Sequence, residues 1–159
     1  MDGGCACGKV RCRLTTAPMI VHCCHCSWCQ TETGSAFVIN AVIERDRLEV
    51  DGDPAPVMTP SASGKGQEIF RCPSCRVALW SHYPNARRKA AFVRVGTLDA
   101  PDALPPDVHI FTSTKLPWVG LPVDVPAFEG FYADPAMVWS PDARARWRTT
   151  MMGREAGAA

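Results

Sequence analysis

Apolar and polar side chains alternate at the start of the chain. Val10, Cys12 and Leu14 are interleaved with Lys9, Arg11 and Arg13, a two-residue period that describes a half-buried strand. Residues 37–43 form an apolar, β-branched run that also reads as strand. Gln67–Arg71, residues 77–83, 91–95 and 109–112 complete a set of short strands. Residues 51–60 and 98–106 are rich in Pro, Asp and Gly and read as turns and loops. No repeat at a solenoid period and no low-complexity tract interrupts the pattern.

Two helices stand out against this β background. The first is Ser27–Thr33, closed by Gly34, the residue that ends helices most easily. The second starts at Ser140-Pro141, where serine can cap free N–H groups and proline fits the first turn. Ala143, Trp147 and Met151 then fall four apart, a narrow apolar stripe suited to a surface helix packed on the body. The fold class is therefore mainly β, with short helices and a C-terminal helix. Residues 153–159 read as a disordered tail.

Length and charge narrow the function. A 159-residue chain is read as one domain able to bury roughly 70% of its unfolded surface, so it does not need metal merely to acquire a core. A net charge of +1 and a pI near 7.6 give no case for nucleic acid, which wants a basic face; Arg144, Arg146, Arg148 and Arg154 are the one local basic group. No charged-then-apolar leader begins the chain and no apolar run approaches a membrane span, so neither secretion nor membrane spanning is expected. The nine cysteines then read as reduced thiols of a cytoplasmic protein, and their odd number argues against a full disulfide framework.

Seven of those cysteines lie in three tight groups: Cys5-Ala-Cys7, Cys24-His-Cys26-Ser-Trp-Cys29 and Cys72-Pro-Ser-Cys75. Thiolates so close in sequence can grip one ion from a single turn. Gly3-Gly4 and Gly8 let the chain turn around Cys5 and Cys7. Together Cys5, Cys7, Cys72 and Cys75 supply four thiolates, a closed tetrahedral site of the structural kind that would tie the first strand to the middle of the sheet. Cys24, Cys26 and Cys29 supply only three, which describes a second zinc with an open position, the property that separates catalytic from structural zinc. His22, His25 or Cys23 could close that tetrahedron, and His22 is the more credible ligand. His25 and Cys23 alternate with the ligands and on extended chain point away from the metal. Cys12 reads as a small core residue. Trp28 reads as a core aromatic or a pocket wall.

The succession Gly3-Gly4-Cys5-Ala-Cys7-Gly8-Lys-Val-Arg, Cys24-His25-Cys26-Ser27-Trp-Cys29, Gly34-Ser35-Ala36-Phe37 and Phe70-Arg-Cys72-Pro-Ser-Cys75 resembles the glutathione-dependent formaldehyde-activating enzyme family, which also includes centromere protein V. Val95-Gly96-Thr97-Leu98-Asp99, His109-Ile110-Phe111, Pro117-Trp118 and Pro126-Ala-Phe128-Glu129 fit the same pattern, so the resemblance spans about residues 3–130. It implies a complex β fold of folded sheets held by zinc, a β-tent, over residues 1–135, with 136–159 as a helical extension. It implies two zinc ions per chain, a structural one at Cys5, Cys7, Cys72 and Cys75 and a second at Cys24, Cys26 and Cys29. The implied activity is condensation of glutathione with formaldehyde to S-hydroxymethylglutathione, formally a carbon–sulfur lyase in reverse. The partners would be a small thiol and a small aldehyde. One departure is visible: the position after Cys29, commonly basic in the family, is Gln30. The alternative from the same residues is a non-catalytic binding module with two structural zinc sites.

Overall fold

The computed structural model describes residues 1–153. The tail expectation beyond Gly153 lies outside the described residues. Among these, ten strands form two sheets. The smaller joins β1 (Asp2–Gly4), β2 (Arg11–Leu14) and β5 (Leu48–Asp51) in the order β1-β2-β5. The larger holds β3 (Ile20–Cys24), β4 (Val38–Glu44), β6 (Ala55–Thr59), β7 (Gln67–Arg71), β8 (Ala78–His82), β9 (Ala90–Arg94) and β10 (Val108–Ile110). Its order is β10-β3-β4-β9-β8-β7-β6, antiparallel throughout except for the parallel pair β10–β3.

The larger sheet is covered on both faces near its centre, and β4 shows how the sequence meets that demand. Ala41 and Ile43 enter one core with Val10 and with Cys12 and Leu14 of the smaller sheet. Val38 and Val42 enter a second core with Ile20, Val108, Tyr132 and Trp139. A strand buried on both faces carries no polar stripe, which is why 37–43 reads as continuous apolar chain. Cys12 is a buried member of the first core, in its expected role.

Two expectations need correction. Residues 51–60 are not all loop, because 55–59 form edge strand β6, paired only with β7. Pro54 and Pro56 concealed it; an edge strand tolerates proline where an inner strand would lose a ladder bond. Residues 109–112 are not one strand, because Phe111 takes a left-handed conformation (φ 56°) and a 3-10 turn follows it over Thr112–Thr114.

The helices α1 (Ser27–Thr33) and α2 (Pro141–Met152) match the expected bounds at their starts. Ser140 caps α2 by accepting from the Ala143 N–H at 3.1 Å. Ala143 is buried in the second core and Trp147 packs against it, edge-on to Trp139 at 5.5 Å. An ion pair fastens the same helix: Arg146 donates to both oxygens of the buried Glu44 at 2.8 and 2.7 Å. Burial alone would push the Glu44 carboxyl up, but the hydrogen bonds from Arg146, a backbone hydrogen bond and the Arg146 and Arg47 charges together outweigh it and hold the group below its ordinary value. A carboxylate so lowered adds stability above its unfolded-state pKa, and that stability is lost as pH falls through the folded-state value. Arg146→Ala should therefore cost about 2–3 kcal/mol at neutral pH, less than for a fully enclosed pair. Glu44→Gln should flatten the acid limb of the stability curve. Urea unfolding at neutral and acidic pH measures both.

Candidate metal centres

The first thiol group forms where the two sheets meet. Cys5 and Cys7 follow β1, and the turn is closed by Cys5 N–H donating to Val10 O at 2.9 Å and by Gly8 at φ 76°. Cys72-Pro-Ser-Cys75 turns between β7 and β8, with Arg76 N–H donating to Cys72 O at 3.0 Å and Arg76 itself left-handed. These two turns bring all four sulfurs within 4.8 Å of one another. Cys5 and Cys7 are 3.5 Å apart, and Cys7 and Cys72 3.7 Å. No disulfide forms, and all nine cysteines are free. Burial opposes ionisation of Cys5, but the Val10 N–H and the neighbouring thiols outweigh it and lower the thiol to about 6, while Cys7 is raised to about 11. One charge thus excludes the next. A divalent cation removes that conflict by displacing every thiol proton, and a donor set of four cysteines fits a closed zinc site.

The second group forms where β3 becomes α1. Cys24 ends the strand, Cys26 is the helix N-cap, and Cys29 lies in the first turn. Cys26 Sγ accepts from the Cys29 N–H at 3.4 Å, and the Cys29 and Cys24 sulfurs are 3.6 Å apart. Hydrogen bonds from Cys24 and Cys29, then from the helix N–H groups, lower Cys26 to about 3. The hydrogen bond with Cys26 raises Cys24 to about 12, and the hydrogen bonds with Cys24 and then Cys26 push Cys29 well above the ordinary thiol range. Three thiols so close that one charge disfavours the next are a donor set that fits a zinc-type cation. Among the described residues no other His, Cys, Asp or Glu joins these three within ligand distance.

The histidines are sorted by strand alternation. His22, the more credible of the residues that could have closed the second site, does not join it; its Nε2 lies 2.8 Å from the Tyr132 hydroxyl, which also accepts from Trp139 Nε1 at 2.5 Å. His82 receives the Trp80 indole N–H and contacts Ala90 O. Cys23 and His25 point away from the second site, as the alternation requires, and meet His109 of β10 there. His25 Nε2 is 2.9 Å from His109 Nδ1 and 3.5 Å from Cys23 Sγ. Burial, then the His109 and Lys115 charges, lowers His25 to about 4, and burial lowers His109. The local signal for this group was visible in the alternation of 22–26; its third member was not, because it lies 84 residues from His25 on a parallel strand.

Trp28 is neither core nor enclosed, at 45% exposed. A cavity of about 610 Å³ opens beside the far end of α1, lined by Glu32, Phe37, Arg71, Cys75 and Arg94 among others. The cavity borders the four-cysteine group through Cys75 rather than the three-cysteine group. Glu32 pairs with Arg71 and, at 3.3 Å, with Arg94.

A profile of the family described as glutathione-dependent formaldehyde-activating enzyme matches residues 1–114, so the chain belongs to that family. A crystal structure of a Rhodobacter sphaeroides protein shares 18% identity with it, covering 80% of this chain and 100% of that one at a TM-score of 0.48. Nothing among the curated proteins matches. No helix of the described residues is long and apolar enough to cross a membrane.

Gln30 holds the turn between the second and third groups. Its Nε2 donates to His25 O at 2.7 Å and to Thr114 O at 2.9 Å, while Thr114 Oγ1 donates to the same His25 carbonyl at 3.0 Å. Gln30→Ala should cost about 1–3 kcal/mol in urea unfolding and speed amide exchange in α1.

Proposed function

We propose that the chain is a zinc-dependent carbon–sulfur lyase-type enzyme that joins a small thiol of the glutathione kind to a small aldehyde such as formaldehyde, or runs the reverse reaction. Membership of the family supports the thiol and aldehyde classes. The observation that carries the reading is the three-sulfur group of Cys24, Cys26 and Cys29 at the start of α1, with no fourth ligand from the described residues. Cys5, Cys7, Cys72 and Cys75 would hold a structural zinc, and the three-sulfur group a second one. Zinc held there supplies Lewis acidity that lets an incoming thiol ionise near neutral pH.

The chain's own part is placement. The first-turn N–H groups of α1 face the sulfur of Cys26 and favour negative charge at this end of the helix. Val38, Ile110 and Tyr132 pack in the same core as the three sulfurs and keep bulk water from the thiol–carbonyl encounter. Holding both reactants in one orientation can lower the barrier by several kcal/mol, on the order of the entropy of bringing them together. His22 lies on the β3 face of Cys24 and is tied through Tyr132 to Trp139, a fixed polar chain beside the site. The proposed compartment is the cytoplasm, whose reducing poise keeps such thiols free.

One observation favours a second reading. All three cysteines are only 5–6% exposed, as suits a staple between β3 and α1 in a non-catalytic binding module. The two readings differ in their answer to added thiol. Cobalt-substituted protein, prepared without oxygen, should change its thiolate-to-cobalt absorption on addition of glutathione, and Cys29→Ser should abolish the change. S-hydroxymethylglutathione should form from glutathione and labelled formaldehyde, followed by NMR, faster than by the uncatalysed addition, and the Cys29→Ser protein should give no acceleration. A spectrum indifferent to glutathione and to simpler thiols would leave the staple as the reading.

A further inference from the structure

β3 presents metal-binding side chains on both faces, and the proposed reaction uses only one. We propose that Cys23, His25 and His109 form a third metal site for a zinc-type divalent cation, on the face of β3 opposite Cys24. The parallel pairing of β10 with β3 sets Cys23 directly beside His109. Strand alternation carries His25, two residues on, to the same side. The three donor atoms lie within 4.8 Å of one another, and all three residues are buried. Their backbone is fixed independently: His25 N–H donates to Ile110 O at 3.0 Å, and His109 exchanges both its backbone bonds with the segment at Pro126 and Phe128.

Hydrogen bonding alone leaves this group incomplete. A single proton on His25 Nε2 can bridge to His109 Nδ1 at 2.9 Å or turn toward Cys23 Sγ at 3.5 Å, but it cannot serve both well. The other ring nitrogen of His25, Nδ1, is buried without a partner, so nothing on that side dictates that Nε2 carry the proton. A cation takes lone pairs from all three atoms at once. One thiolate with two imidazoles is a zinc donor set that leaves a fourth position open. Charge favours occupancy too, in an argument that rests on the proposed reading of the other face. Zinc with three thiolates carries one net negative charge, and zinc with one thiolate carries one net positive charge. The two centres would then attract across a single strand. The nearby cation Lys115 is turned onto the Leu116 and Val119 carbonyls at 3.1 and 2.7 Å.

The test is zinc per chain on anaerobically purified full-length protein, completed by zinc titration against a chromophoric chelator. Wild type should bind three equivalents. Cys23→Ser and His109→Gln should each bind two, or hold the third at least tenfold more weakly, with unchanged far-ultraviolet circular dichroism. His109→Cys, which restores a ligand, should recover three and guards against a mere folding defect in His109→Gln. Cys24→Ser should lose a different equivalent, leaving the one sensitive to His109; this separates failure of the lyase reading from failure of the third site. A limit of two in the wild type that Cys24→Ser lowers and His109→Gln leaves unchanged, or a third equivalent indifferent to both Cys23 and His109, would overturn the proposal.

Discussion

The structure depends on sulfur atoms gathered so closely that they cannot all ionise without a cation. Four thiols at the sheet junction and three at the start of α1 sit within 4.8 Å of one another in each group, and no disulfide joins any of them. Thiols attract one another weakly, and ionised ones repel; neither force gathers them. Backbone does: the turn closed by Cys5 and Val10, the turn closed by Cys72 and Arg76, and the cap at Cys26. A divalent cation converts that imposed crowding into bonds. At the first group the consequence is architectural, because β1 and β2 belong to the smaller sheet while β7 and β8 belong to the larger. The same junction carries the first core and, at its rim, the Arg11–Asp99 ion pair. Metal at this point would clamp what the core already aligns.

The second dependence is on β3. Its five residues are all buried, so every side chain must find a partner on one face or the other. Ile20 and Cys24 join the second core, and Val21 joins the first. Where a core strand would continue with aliphatic residues, this one has His22, Cys23 and Cys24, and His25 follows directly. Polar groups buried so deeply cost free energy unless they are bonded, and each here has found a use: His22 with Tyr132, Cys24 with Cys29, Cys23 and His25 with His109. Tyr132 and Trp139 come from beyond the family match, so the later part of the chain completes the surroundings of the earlier part.

What the sequence discloses follows how local each cause is. α1 is legible in full because its cap and its left-handed Gly34 are both set within nine residues. β7 and the start of α2 are legible for the same reason. β3 is not legible as a strand, since a fully buried run of two aliphatic and three metal-binding side chains matches no period. β1 and β5 are short and owe their pairing to β2, which shows its alternation plainly. The four-cysteine and three-cysteine groups announce themselves by spacing. His109 does not, because only the parallel docking of β10 brings it to Cys23, and no local pattern encodes that docking. The exposure of Trp28 was likewise invisible: a tryptophan between two metal-binding positions gives no sign of which side of the helix it takes.

Gln30 shows how one substitution can change what a site reads without changing what it holds. A basic residue after Cys29 would place a cation beside the second sulfur group, where a glutathione carboxylate could find it. Glutamine gives up that charge and spends its amide on two carbonyls, His25 O and Thr114 O. Neither bond touches the sulfurs of Cys24, Cys26 or Cys29, so the ligand set is untouched. The cations next along α1, Arg71 and Arg94, are both engaged with Glu32 at the cavity. On the proposed reading, recognition at this site would rest on the sulfur of an incoming thiol, and charge on the rest of that molecule would find no partner at residue 30.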